Sequence, residues 1–152
     1  MLHSSDGASL ALGLAAYQFP GRPASGPPGT DWDANWLIVG GAVRTAAGDT
    51  WTFRDPCLTT SEARSLARWL HAASAGPVED ELLHFTEPNV AWSQESYTPA
   101  RVVIRVHFSL ESRPHFAAGD IFDFYVPFTL SPAHLSAAAE VWDGECAAFP
   151  VR

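Results

Sequence analysis

Hydrophobic and polar positions alternate along much of this chain. Between Ser9 and Phe19, Leu10, Leu12 and Leu14 share one face while small residues and Tyr17 take the other, which is the period of a half-buried strand, and Pro20 ends it. Gly21 to Thr30 is dense in proline and glycine and reads as an exposed, irregular loop. Asn35 to Arg44 is apolar almost throughout, as suits a strand covered on both faces. Ala47-Gly48-Asp49 then turns the chain into Thr50–Phe53, so a hairpin is expected, with Gly40-Gly41 as the place for a bulge.

The period changes after Leu58. Thr59 and Glu62 form a T-x-x-E capping box, Ala63, Leu66, Leu70 and Ala73 recur at helical spacing, and Gly76-Pro77 stops the run, leaving Arg64 and Arg68 on the other face. Leu82–Phe85, Val90–Trp92 and Arg101–Leu110 read as strands of a meander, with turns at Glu87-Pro88-Asn89 and Tyr97-Thr98-Pro99. In the third of these, Val102, Ile104, Val106 and Phe108 face one way and Arg105 and His107 the other. A further strand, Ile121 to Leu130, places Phe122, Phe124, Val126 and Phe128 inward and Asp123 and Tyr125 outward. Ser131 as N-cap and Pro132 at the first helical position open a second amphipathic helix, whose stripe is Leu135, Ala138, Trp142 and Cys146. The expected fold class is α+β: an antiparallel sheet of about six to seven strands, in hairpins and a meander, packed with two amphipathic helices in a single domain over 1–152.

Composition narrows the function. With 47% hydrophobic residues the chain has ample material for a core and none of the signature of disorder. Seventeen carboxylates stand against nine cationic side chains, all arginine, for a formal charge of −8. The absence of lysine excludes Schiff-base chemistry on lysine and a P-loop. A field of this sign repels phosphate backbones and attracts cations, so the expected partner is a basic protein and direct nucleic-acid binding is disfavoured. Met1 to Asp6 has neither a basic nor an apolar signal region, and no apolar run reaches membrane-spanning length, so the cytoplasm is the expected compartment and no membrane partner is expected.

The residues offer little for catalysis. Cys57 and Cys146 stand without a CxxC or Cys/His cluster and read as small buried hydrophobes. His107 and His115 lack a third ligand nearby, and HExxH, GxSxG and GxGxxG are all absent. No catalytic residue, metal or cofactor is therefore assigned. Asp31 and Asp33 flank Trp32, and Asp120 and Asp123 flank Ile121-Phe122. As acid/base pairs these are ordinary solvated spacings, but as an aromatic set among charges they are the best protein-binding candidates: Asp31, Trp32, Asp33, Asp120 and Asp123. Six tryptophans raise the alternative of a glycan- or ligand-binding module on an aromatic-rich sheet. Four of them sit in apolar strand or helix patterns and read as core, and Trp32 reads as the exposed one.

Several blocks carry a resemblance. Tyr17-Gln18-Phe19-Pro20, Asp33-Ala34-Asn35-Trp36-Leu37 and the run Trp51-Thr52-Phe53-Arg54-Asp55-Pro56-Cys57-Leu58-Thr59-Thr60-Ser61-Glu62, continued by Trp69-Leu70, Glu87-Pro88-Asn89 and Phe149-Pro150-Val151-Arg152, resemble the WapI family of bacterial immunity proteins. The resemblance implies a cytosolic antidote that binds and blocks the toxic C-terminal domain, typically a nuclease, of a polymorphic contact-dependent toxin. It brings no catalytic residue with it, and the matching positions read as structural: a strand entry, a hairpin, a capped helix, a turn and a helix exit.

Overall fold

The computed structural model describes residues 1–79, 82–122 and 124–152. Its elements run β1 (Leu2–His3), β2 (Ser9–Tyr17), α1 (Trp32–Asn35), β3 (Trp36–Arg44), β4 (Thr50–Thr59), α2 (Thr60–Ala75), β5 (Val90–Thr98), β6 (Arg101–Phe108), a 3-10 turn (Leu110–Ser112), β7 (Tyr125–Leu130) and α3 (Pro132–Ala147). The α+β class with antiparallel strands holds. The strands are divided between a four-stranded sheet, β1-β2-β3-β4, and a three-stranded sheet, β5-β6-β7.

The inner faces of the two sheets meet through aromatic rings. Trp51 and Phe53 of β4 pack edge-on against Phe108 of β6, with ring centroids 5.2 and 5.9 Å apart. The sheets also touch at one corner, where the Ser5 N–H donates to the Thr129 carbonyl at 3.0 Å. Buried apolar residues from both sheets and from α2 and α3 form one cluster. The other face of the larger sheet is open. It carries small residues, Ala11, Gly13, Gly40 and Ala42, bordered by Arg44, Thr52 and Arg54.

Local rules explain the helix ends. The Thr59 hydroxyl accepts the Glu62 N–H while the Glu62 carboxylate takes the Thr59 N–H at 2.8 Å, so the capping box is complete. At the far end, Gln94 of β5 donates through Nε2 to the carbonyls of Ala73 and Gly76, each at 3.0 Å, satisfying groups that a helix terminus leaves open. Ser131 accepts the His134 N–H, and the stripe Leu135, Ala138, Trp142 and Cys146 is buried as its spacing predicts. Trp142 reaches across to donate to the Ala63 carbonyl of α2 at 2.8 Å.

Some sequence expectations are corrected. Gly40 and Gly41 lie in regular register, and the irregularities fall between Leu37 and Ile38 on one side of β3 and between Leu14 and Ala16 on the other. The glycine at 41 has a different purpose: the Phe53 ring lies over it, and a Cβ there would stand 2.1 Å from that ring. Leu82–Phe85 contributes one bridging pair, Leu83 with Trp92, in place of a strand. β7 starts at Tyr125, not Ile121. Upstream of it the Asp120 carboxylate accepts the Phe122 N–H at 2.9 Å, and this local turn directs Ile121 and Phe122 outward.

Candidate protein-binding surfaces

The first sequence candidate, Asp31-Trp32-Asp33, forms the start of α1. Asp31 is its N-cap and is buried, with Oδ1 taking the Ala34 N–H at 3.2 Å. Oδ2 accepts the Ser25 hydroxyl at 2.8 Å and the Ser25 N–H at 3.0 Å. Those contacts, the Ser25 hydroxyl foremost, hold the Asp31 carboxyl below the usual range, and the Arg22 guanidinium adds to the effect. Arg22 bridges both acids, 3.6 Å from Asp31 and 3.1 Å from Asp33. The charge of Asp31 is thus spent on closing the proline-rich loop onto α1, while Trp32 is 59% exposed and Asp33 lies beside it at the surface.

The second candidate lies at the other end of the same sheet. Asp120 is exposed and Asp123 falls outside the described residues. Around Asp120 the segment after the 3-10 turn shows Phe116, Ile121 and Phe122 to solvent, Phe122 at 54%. The segment is braced from within. Arg113 donates to the carbonyls of Ala118 and Gly119, at 2.7 and 3.3 Å, and Gly119 takes a left-handed backbone (φ +85°). Phe116 stands edge-on to Trp51 at 5.8 Å, and the Trp51 indole donates to the Ser112 carbonyl at 2.9 Å, so the segment is seated on β4. β3, with α1 at its start and the Thr45–Asp49 turn at its end, separates the two candidates by roughly 25 Å of strand.

A third group escaped the sequence reading. Asn89 donates through Nδ2 to Asp55 at 3.2 Å and to Glu111 at 3.1 Å, bringing together carboxylates from β4 and from the 3-10 turn. Burial, and then repulsion from Glu111, push the Asp55 carboxyl above its ordinary range; Asn89 opposes this, and Glu87 adds a further push. None of the ion pairs among the described residues involves Asp55, Glu87 or Glu111. The only signal available in the sequence was the resemblance block containing Asp55 and the turn Glu87-Pro88-Asn89, and nothing in either indicated that Glu111 would join them.

The tryptophans follow the packing expectation. Trp51, Trp69, Trp92 and Trp142 are buried, which removes most of the aromatic surface a sugar would stack on. Cys57 and Cys146 are buried and free. Among the described residues the nearest approach to a nucleophile and base is Ser93 Oγ, 3.0 Å from His107 Nε2. It links neighbouring strands on the outer side of the smaller sheet, with Tyr125 against the imidazole at 5.5 Å between ring centroids. Among the described residues no group of three or more His, Cys, Asp or Glu side chains is placed to hold a metal, and no helix is long and apolar enough to cross a membrane.

A search of curated proteins returned no match. A family model does match, and it extends over residues 1–150, from β1 past the end of α3. Both sheets, the capped helix α2 and all three candidate surfaces lie within that span, and the chain belongs to the immunity protein WapI-like family.

Proposed function

We propose that this immunity protein neutralises a basic toxin domain, the C-terminal nuclease domain of a polymorphic contact-dependent toxin, and does so in the cytoplasm by covering the surface with which the toxin holds its nucleic-acid substrate. Family membership supplies the immunity role. The observation that carries the choice of a basic partner is the charge: −8 overall, with Asp55, Glu87 and Glu111 drawn together and no cation paired to them among the described residues. A nuclease is locally basic because it binds phosphates, so an anionic surface is attracted to the region it must block.

In this reading the protein is a binder and not an enzyme, and it uses no metal or cofactor. Trp32, Asp33 and Asp120 contact the toxin, Asp123 is a further contact proposed from the sequence alone, and Asp31 holds Trp32 and Asp33 in place. The interface is of ordinary size, about 1,600 Å² in total. The test is co-expression with the toxin domain encoded beside this chain, together with association kinetics on an inactivated toxin. Protection is expected, with an association rate that falls about tenfold between ~0.05 and ~0.5 M salt. Cells left unprotected, or a rate indifferent to salt, would reject the proposal.

A further inference from the structure

We infer that the main contact with the toxin is the strip that runs from the Asp55 and Glu111 carboxylates over Leu110 to Phe116 and Phe122, and that its occupant is a basic segment presenting an arginine or lysine next to an apolar side chain. The inference rests on the immunity reading above and specifies where and how that reading is carried out.

Contacts join the strip as far as Phe116, and Phe122 follows in the segment that Arg113 braces. Leu110 and Glu111 are neighbours in the 3-10 turn, the turn is joined to Trp51 by the indole hydrogen bond, and Phe116 packs on the same Trp51 ring. Asp55 lies four residues along β4 from Trp51, about 13 Å, a separation that fits within one side of an interface of ordinary size. Exposed apolar side chains gathered beside acids have the composition of an interface centre with a charged border. A shallow groove next to it, between the Thr45–Asp49 turn and Phe116, Tyr125 and Pro127, offers room for the partner's apolar side chain.

Leu110 has a left-handed backbone (φ +50°), which is costly for a bulky residue, and yet its side chain faces solvent. The angle is enforced by the turn around buried Ser112, whose hydroxyl bonds to the carbonyls of Asn89 and Ser109 and accepts the Ser109 N–H. Strain is thus accepted to place a leucine at the surface beside Glu111. Charge decides between this strip and the open face of the larger sheet, because that face carries Arg44 and Arg54 and would repel a basic partner.

The test measures affinity for the inactivated toxin domain encoded beside the chain, with thermal melts of every variant. Phe122→Ser joined with Asp55→Asn is expected to weaken binding at least about 100-fold, while Arg54→Gln on the open sheet face stays within about twofold. Leu110→Gly is the sharper variant: removing the strain should hold or raise the melting temperature while binding falls about tenfold or more. If the wild type binds and these variants bind within about twofold of it, the strip is not the contact and the immunity reading stands. If the wild type does not bind, both fall. A stable dimer of the chain that Phe122→Ser dissociates would make a second copy the occupant and overturn the inference.

Discussion

The side-chain amide of Asn35 pairs with both backbone polar groups of Arg152: Nδ2 donates to the Arg152 carbonyl at 2.8 Å, and Oδ1 accepts the Arg152 N–H at 2.9 Å. The remaining capacity of the amide is also used, with Nδ2 donating to the Asp31 carbonyl at 2.8 Å and Oδ1 accepting the Thr60 hydroxyl at 2.7 Å. Asn35 is buried, so α1, the start of α2 and the segment after α3 are tied at one point. Arg152 adds its guanidinium over the Tyr17 ring, 3.5 Å from the centroid.

Asn35→Ala should therefore cost about 2–4 kcal/mol, since it leaves several buried partners unsatisfied at once. Urea denaturation would show it as a lower midpoint with an unchanged slope. A loss below about 0.5 kcal/mol would mean that the knot contributes nothing beyond what water supplies.

Asp31 makes stability depend on pH in the ordinary acidic sense. Its carboxyl is held below 3.8 in the fold, so the stability it contributes is fully present above that value and is lost as pH falls through the folded pKa. Asp31→Asn should be less stable than wild type near neutrality and converge with it in strong acid. Because the Asp31 carboxylate is buried and taken up by Ser25 and the Ala34 N–H, whereas Asp33 is exposed, the association rate with the toxin should change less than it does for Asp33→Asn.

Asp55 acts with the opposite sign. Its folded pKa is raised above 3.8, so the stability linked to its proton is present below 3.8 and is lost as pH rises through the folded value. Asp55→Asn, which keeps an oxygen for Asn89, should melt higher than wild type at pH 7 and lose that advantage in acid. A lower melting temperature at pH 7 would contradict the repulsion from Glu111 and Glu87.

Gly41→Ala should destabilise the protein by about 1–3 kcal/mol, because the added methyl meets the Phe53 ring, and that ring is part of the contact with Phe108 between the sheets. Near-ultraviolet circular dichroism of the variant should show a changed aromatic environment. An unchanged midpoint would mean that the ring moves aside freely.

The thiols should be silent in the native protein. Burial, chiefly, pushes Cys57 up to about 12 and Cys146 up to about 11, so neither is a thiolate near pH 8. A disulfide-exchange reagent should label both only in denaturant. Fast labelling of either one in the folded state would reveal an opening of the core.

What the chain order determined unaided was whatever depends on residues a few places apart. The Thr59–Glu62 capping box, the Ser131 cap with Pro132, the leucine alternation of β2 and the buried stripe of α3 all formed as their spacing predicts, because cap and period are properties of one or two turns. The excess of carboxylates over arginines was equally readable. Tertiary structure decided the division of the strands into two sheets and which acids remain available. Asp31 and Asp120 look alike in sequence, each one member of a carboxylate pair around aromatic or apolar residues, yet one is enclosed by Ser25 and Arg22 while the other stands at the surface. Asp55, Glu87 and Glu111 come from separate segments, and their mutual repulsion arises only once β4, the turn before β5 and the 3-10 turn have met around Asn89. A carboxylate's effect depends on what lies within a few ångströms of it in space, and for these residues that distance is set by packing and not by order along the chain.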